Sequence, residues 1–291
     1  MNEPFVTLTI SAAERERGRF DSETVMRGRE AILRDGMVAI EDAVDPAHIA
    51  KIRDRMFEDL PAILSRTDTP FNFTRSNVQQ DPPPMAEYLF RDVLVNEYVV
   101  QLTGSVMGQG MKNAFYSGNT ALAHGTQRQP VHADMGHLWP NTEHATPPYA
   151  LIVNMPMVDM DARNGSIELW PGTHLDTSVA MQDGDIKVSP ERLEAQRAVR
   201  PPVQPKMRAG SVIIRDMRMW HAGMPNHTDQ PRPMIAMIHW VSWWPLHEKL
   251  TFPKETDALF EHPDLETVAD FVDTPIPYLG RHTSYDLQPT N

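Results

Sequence analysis

The sequence predicts a mainly β fold, a barrel or double-sheet jelly roll with a helical layer before it. From Asn113 onwards, short strand-like runs are separated by Gly, Pro and Asn, most clearly at 113–123, 149–157, 209–215 and 234–243. Many short strands with turn signals between them are typical of such folds. The residues before Asn113 instead carry apolar side chains at helical spacing. A chain of 291 residues with 41% apolar content can bury one large core.

The helical layer begins with a helix predicted over residues 22–35. Ser22 is its candidate N-cap, and Asp35-Gly36 would end it. Apolar side chains would form its buried stripe: Met26, Ala31, Ile32 and Leu33. A short strand, Met37-Val38-Ala39-Ile40, is predicted to follow.

A second helix is predicted to begin at Asp45-Pro46, because proline is favoured in the first helical turn. Its apolar positions have helical spacing: Ile49, Ile52, Met56 and Leu60. Residues 66–84 are polar, contain three consecutive prolines and are predicted to form a loop. A further helix is predicted over 88–107, ending at Gly108, and a helical insertion at 190–200.

Barrels and sandwiches of this length often form one domain, so we predict a single domain over residues 1–291. Its helical part would cover about 20–110, its jelly-roll core about 111–245 and a C-terminal extension about 246–291.

Composition excludes several classes of protein. The formal charge is -12, and no long run of Lys and Arg suggests a nucleic-acid partner. The chain has no cysteine, which excludes disulfides and thiolate zinc sites. No signal peptide or apolar membrane span is recognisable. We therefore expect a cytoplasmic protein without a membrane or nucleic-acid partner, while its oligomeric state stays open.

Three side chains suggest a metal site. Residues two apart on an extended strand point the same way, so His132 and Asp134 can bind one ion together. A third ligand, His221, would come from a distant strand. Two neutral imidazoles and one carboxylate on one side of the metal are the arrangement used for non-haem Fe(II), whose opposite side stays open for cosubstrate and O2.

The surroundings of these ligands resemble the phytanoyl-CoA dioxygenase family of Fe(II)- and 2-oxoglutarate-dependent oxygenases. The resemblance runs from about Ala31 to Trp240 and is carried by a series of segments in order: 129–135, 164–174, 209–216, 219–226 and 230–234. It implies a double-stranded β-helix core, that is, a cupin-like jelly roll. It also implies Fe(II), with 2-oxoglutarate and O2 as cosubstrates and ascorbate as a supporting reductant.

Arg232 is the candidate anchor for 2-oxoglutarate. It lies eleven residues after His221, as the cosubstrate arginine does in the family, and a guanidinium binds a carboxylate through two parallel hydrogen bonds. Gln129 is a candidate to contact 2-oxoglutarate or only to cap a loop. Asn119 occupies about the place of a cosubstrate-contacting residue in relatives, although a structural role is the alternative.

The expected reaction is the oxidation of an unactivated C–H bond in a small organic molecule, for example a natural-product intermediate. Oxidative decarboxylation of 2-oxoglutarate would yield succinate and CO2, and no side-chain general base is needed. Related halogenases have Gly or Ala in place of Asp134, so the retained carboxylate favours an oxygenase. The outcome could be hydroxylation, desaturation, epoxidation or ring closure.

Trp139, His137 and Phe73 are the candidate substrate-binding residues. Trp139 and His137 lie in a loop that directly follows the metal motif, and aromatic side chains commonly line pockets for organic molecules. No basic cluster is evident for the pyrophosphate of an acyl-CoA.

Two other functions remain open from the residues alone. A zinc-dependent hydrolase could use the same ligands with a bound water as nucleophile. It would need a nearby general base, and it would have no use for an arginine eleven residues after His221. A non-catalytic jelly-roll binding protein would be expected to have lost at least one ligand, whereas all three are present.

Overall fold

The computed structural model describes residues 5–178 and 187–286, and most of its strands join one large sheet. In chain order the strands are β1 (Thr7–Thr9), β2 (Met37–Glu41), β3 (Phe71–Asn72), β4 (Thr74–Gln79), β5 (Met111–Ala121), β6 (Ala150–Pro156), β7 (Glu168–Leu169), β8 (Val212–Asp216), β9 (His221–Ala222), β10 (Arg232–Trp240), β11 (Leu250–Pro253), β12 (Leu265–Thr267) and β13 (Ala269–Val272).

The large sheet has the strand order β1-β2-β8-β6-β10-β5-β4-β3, and β12 also pairs with β5. The four runs predicted most clearly from the sequence became β5, β6, β8 and β10, which are adjacent in the middle of this sheet. Two small sheets, β7-β9 and β11-β13, complete the β structure of the described residues. The mainly β prediction is therefore confirmed.

The helices are α1 (Ala12–Arg17), α2 (Ser22–Asp35), α3 (Pro46–Leu64), α4 (Arg91–Leu94), α5 (Glu97–Met107) and α6 (Pro190–Val199). All but α6 precede the central strands, so the predicted N-terminal helical layer is confirmed, as is the helical insertion at 190–200.

The helix α2 has the predicted bounds but differs at its cap and its buried face. Asp21, not Ser22, is the N-cap, and its carboxylate accepts a hydrogen bond from the Thr24 amide at 2.8 Å. Met26 is exposed, whereas Gly28 packs so tightly that an added Cβ would lie 2.6 Å from a methyl of Leu102. The face of α2 is thus set by its close approach to α5.

The helix α3 follows the prediction closely. Asp45 caps it by accepting a hydrogen bond from the Ala47 amide, and Pro46 lies in its first turn. The four predicted core positions are all buried: Ile49, Ile52, Met56 and Leu60.

Two predicted elements were wrong in part. The segment 66–84 is not only loop, since it contains β3 and β4, and Val78 of β4 is fully buried. The helix predicted over 88–107 is divided into α4 and α5, because Asn96 interrupts it and accepts hydrogen bonds from the amides of Tyr98 and Val99. It ends at Gly108 as expected.

The central strands are buried on both faces. On β10, Ile235 and Met237 pack in the main core with the helices, whereas Ala236 and Ile238 face a cavity on the other side. Because of this alternation, the side chains that face the cavity lie on the side of the sheet turned away from the helices.

No helix within the described ranges combines the length and apolarity needed to cross a membrane. The division of the chain into the three predicted parts of one domain stays a prediction.

Candidate active site

His132 and His221 are brought together by backbone pairing. The amide of His132 donates to the carbonyl of His221 at 3.0 Å, and the amide of His221 donates back at 2.8 Å. Their ring centroids are 4.3 Å apart, although 89 positions separate the residues in sequence. The predicted pair of distant imidazoles therefore meets on two neighbouring extended segments.

Both imidazoles are held in one orientation by backbone carbonyls. Nδ1 of His132 lies 2.9 Å from the Pro130 oxygen, and Nδ1 of His221 lies 3.1 Å from the Met219 oxygen. These contacts favour the tautomer that carries its proton on Nδ1, so each Nε2 is left as an acceptor for a metal. Burial lowers the pKa of both rings, that of His221 well below its usual value, and keeps them neutral.

Asp134 completes the group. Its Oδ1 lies 3.5 Å from Nε2 of His221, and one ligand atom from each of the three residues lies within 4.8 Å of the others. Burial alone would raise the pKa of Asp134, but the positive charge of Arg215 lowers it below the usual range of a carboxyl group. This set of one anionic oxygen and two neutral nitrogens fits a divalent Fe(II) ion.

Arg215 is a part of the site that the sequence did not reveal. It lies on β8, is 5% exposed, and places Nη2 2.7 Å from Oδ2 of Asp134. Its Nε donates to Oδ1 of Asn154 at 3.0 Å. The run Val212-Ile213-Ile214-Arg215-Asp216 resembles a buried strand, and a cation within such a run was the available signal.

The three clustered side chains line a cavity of about 250 Å³, and Arg232 lines the same cavity. Arg232 is 2% exposed, and its Nη2 donates to the carbonyl of Gly165 at 2.7 Å. Its Nε and Nη1 are buried without a hydrogen-bond partner among the described residues. Burial lowers the pKa of Arg232 to about 10, so it remains a cation at neutral pH.

Gln129 and Asn119 also line this cavity. The side chain of Gln129 accepts a hydrogen bond from the Gly223 amide at 2.7 Å and donates to the Asn72 carbonyl at 3.1 Å. A Cβ at position 223 would lie 2.6 Å from Oε1 of Gln129, so glycine permits this contact. Gln129 thus links three chain segments around the site, and contact of Gln129 and Asn119 with 2-oxoglutarate stays a prediction.

The three predicted substrate-binding residues are not among the described residues that line the cavity. Trp139 is 58% exposed. His137 is buried, lies 3.4 Å from Nη1 of Arg218, and has its pKa lowered to about 4 by burial and by that cation. Binding of substrate by either residue stays a prediction.

Phe73 does not line the cavity but lies next to His132, one of the three clustered side chains. Its ring centroid is 4.5 Å from that of His132 and 5.2 Å from that of Tyr285. The Phe73 amide donates to the Tyr285 carbonyl at 2.9 Å, and the Tyr285 amide donates to the Phe71 carbonyl at 2.8 Å. The C-terminal segment therefore backs the Phe73 ring, which packs on His132. A substrate contact by Phe73 also stays a prediction.

Other histidines do not join the cluster. His124 and His144 are largely exposed, and His174 is buried with Nε2 3.1 Å from the Leu33 carbonyl. His174 is therefore held against helix α2, away from the cluster.

The polar side of the cavity was also missed from the sequence. Asn77 and Gln79 of β4 and Ser117 of β5 line it. The signal was the alternation of polar residues in Asn77-Val78-Gln79, whose middle residue is buried in the core.

Solved structures share this fold. AviO1 from Streptomyces viridochromogenes Tue57 is 20% identical and aligns with a TM-score of 0.57, over 78% of this chain and 99% of that one. EctD from S. alaskensis with bound Fe is 17% identical, with a TM-score of 0.58 over 79% of this chain and 80% of that one. The apoform of EctD gives a TM-score of 0.57 at 17% identity, over 76% and 77% of the two chains.

The sequence itself identifies the family. The model of the family described as Phytanoyl-CoA dioxygenase (PhyH) matches residues 32–234, which include all three clustered side chains and Arg232. The chain belongs to the phytanoyl-CoA dioxygenase family, whose members are Fe(II)- and 2-oxoglutarate-dependent dioxygenases.

Proposed function

We propose that this dioxygenase oxidises a C–H bond of a small organic molecule at a metal held by His132, Asp134 and His221, with 2-oxoglutarate anchored by Arg232. A place in natural-product metabolism is the finer form of this proposal. The bound iron would supply the oxidation with O2 as the oxidant: one oxygen atom would enter succinate as 2-oxoglutarate loses CO2, and the other would serve to oxidise the substrate.

The observation that carries the proposal is that the buried Arg232 guanidinium lines the same cavity as the three clustered side chains and has no anionic partner among the described residues. A buried cation is unfavourable unless an anion pairs with it. A guanidinium with two nitrogens that have no partner among the described residues can still bind a carboxylate, which is the group that 2-oxoglutarate presents at its far end. The Arg232 guanidinium therefore suits the binding of one carboxylate.

The side chains around the metal position would each have a defined task. His132 and His221 present neutral Nε2 atoms because their Nδ1 atoms are bound to backbone carbonyls. Asp134 presents Oδ1 while Arg215 holds its other oxygen.

A hydrolytic zinc enzyme is disfavoured by the composition of the cavity. Among the described residues that line it, Asp134 is the only carboxylate and the two clustered histidines are the only imidazoles. All three would be bound to the metal, which leaves no general base for a metal-bound water.

The test is a turnover assay with Fe(II), ascorbate and 2-oxoglutarate across a panel of candidate substrates. Substrate-dependent release of succinate is expected, and a metal analysis should find iron rather than zinc. Failure to bind 2-oxoglutarate in the presence of metal would contradict the proposal.

A further inference from the structure

A second buried guanidinium, that of Arg215, lines the cavity and offers a further hydrogen-bond donor. Nε and Nη2 of Arg215 are occupied by Asn154 and Asp134, whereas its Nη1 is buried without a hydrogen-bond partner among the described residues. Such a donor is normally paired in a folded protein, so its free state indicates a missing acceptor.

The 2-oxoglutarate carboxylate that Arg232 would bind cannot also be the hydrogen-bond acceptor for Nη1 of Arg215. Across the sheet Arg215 pairs in register with Ile152, and Ile152 with Ile238 on β10. Arg232 lies on the same strand six residues before Ile238, which is about 20 Å along a β-strand. The two arginines therefore approach the cavity from opposite ends, and one far carboxylate cannot serve both.

The sum of the charges in the cavity indicates that the acceptor for Nη1 of Arg215 is an anion. The charged side chains among the described residues lining the cavity are Asp134, Arg215 and Arg232, since both histidines would bind the metal as neutral imidazoles. In the filled site, the metal would balance the two charges of 2-oxoglutarate, and Asp134 would balance one guanidinium. One positive charge is left over, and an unbalanced charge in a buried cavity is unfavourable.

Apart from its polar partners Asn154 and Asp134, the walls near Arg215 are apolar. Ile152 is its neighbour across the sheet, Met217 follows two residues later, and Ile238 and Phe115 continue this end of the cavity. A volume of about 250 Å³ is small compared with pockets for drug-sized ligands, which span roughly 300–1,000 Å³. This volume, shared with the cosubstrate, favours a substrate with a compact apolar body.

We propose that the substrate is a carboxylic acid with an apolar body, and that Nη1 of Arg215 binds its carboxylate. This inference rests on the proposed function, because the charge left over depends on the bound metal and 2-oxoglutarate. Arg215 would then have two roles, as it positions the ligand Asp134 and selects an anionic substrate.

The experiment compares a matched pair of probes, 3-phenylpropanoate and 3-phenylpropanamide, which differ in charge but little in size. Binding is measured by calorimetry on the full chain loaded with Mn(II) and N-oxalylglycine, an unreactive analogue that fills the 2-oxoglutarate position. The acid should bind at least about tenfold more tightly than the amide, as expected for a charge-assisted hydrogen bond.

The variant Arg215→Met should bring the ratio of acid to amide affinity close to one. The matched control Arg163→Met, at a largely exposed arginine, should leave the ratio unchanged. Should Arg215→Met fail to hold Mn(II), Arg215→Lys replaces it, since lysine keeps a cation beside Asp134 but lacks a second amino group; the ratio should again fall.

The outcomes separate the two proposals. A ratio near one in the unaltered protein with Mn(II) and N-oxalylglycine bound would overturn this inference alone. An acid preference retained in Arg215→Met or Arg215→Lys would do the same. Absence of Mn(II) and N-oxalylglycine binding in the unaltered protein would overturn the proposed function, and this inference with it.

Discussion

Nη2 of Arg215 lies 2.7 Å from Oδ2 of Asp134, so the carboxylate is oriented before any metal arrives. Its other oxygen faces His221, whose ring is fixed in turn by the Met219 carbonyl. The three proposed metal ligands are thus preorganised by side chains and backbone outside the group.

His221→Ala should abolish detectable Mn(II) binding and succinate formation, because it removes one of three ligand atoms. The loss of metal affinity should exceed the roughly 10–100-fold that removal of an outer partner typically causes. Calorimetric titration with Mn(II) provides the measurement. His124→Ala, at an exposed histidine, is the control and should bind normally. Unchanged Mn(II) affinity in His221→Ala would contradict its assignment as a ligand.

Arg232→Met should have opposite effects on stability and on cosubstrate binding. The lowering of the pKa of Arg232 to about 10 corresponds to an unfavourable burial on the order of 3 kcal/mol in the empty protein. Replacing this cation with an apolar side chain should therefore raise the free energy of unfolding without ligand. The same change should weaken 2-oxoglutarate binding by roughly 2–5 kcal/mol.

Urea unfolding with and without 2-oxoglutarate and Mn(II) measures both effects of Arg232→Met. A variant that is less stable when empty, yet retains full 2-oxoglutarate affinity, would show that Arg232 is a structural residue.

Asp134→Gly should make metal binding dependent on chloride. The substitution removes one ligand and leaves the Arg215 guanidinium beside the vacated position without its counterion. A chloride ion could then occupy that position and pair with Arg215. Mn(II) affinity of this variant should rise with added chloride and stay flat with a bulkier anion such as sulfate. Equal effects of both salts would indicate general ionic strength instead.

Stability should fall as the pH drops below about 6.5. Burial lowers the pKa of His137 to about 4 and that of His239 to about 3, so the folded chain keeps both rings neutral while the unfolded chain protonates them. Each ring contributes stability above the unfolded pKa. That contribution is lost at about 1.4 kcal/mol per pH unit as the pH falls towards the folded pKa.

Urea unfolding at pH 7.5, 6.5 and 5.5 checks this dependence. His239→Asn should reduce the slope between pH 6.5 and 5.5, whereas His144→Asn, at an exposed ring, should not. Equal slopes in the two variants would contradict the pKa assigned to His239.

The sequence was most informative where one local pattern determined the structure. Apolar spacing predicted α3, and short strand-like runs predicted β5, β6, β8 and β10, of which β6 and β8 are buried at every position. The sequence also predicted that His132, Asp134 and His221 converge, because the residue types and the order of their segments indicate a shared metal site.

The sequence was least informative where tertiary contacts override local preference. Strand β4 is polar on its cavity side, so its composition suggests a loop although its backbone pairs with β5. Arg215 could not be assigned because its partner Asp134 lies 81 positions away in sequence, and only the fold brings them together. Likewise, the face of α2 depends on how closely α5 approaches Gly28.

The backing of Phe73 by Tyr285 has a practical consequence for anyone handling this protein. Trimming the chain ahead of Tyr285, or attaching a bulky fusion partner there, would remove the support behind an aromatic ring that touches His132. Purification handles and reporter fusions are better placed at the opposite terminus, next to the edge strand β1.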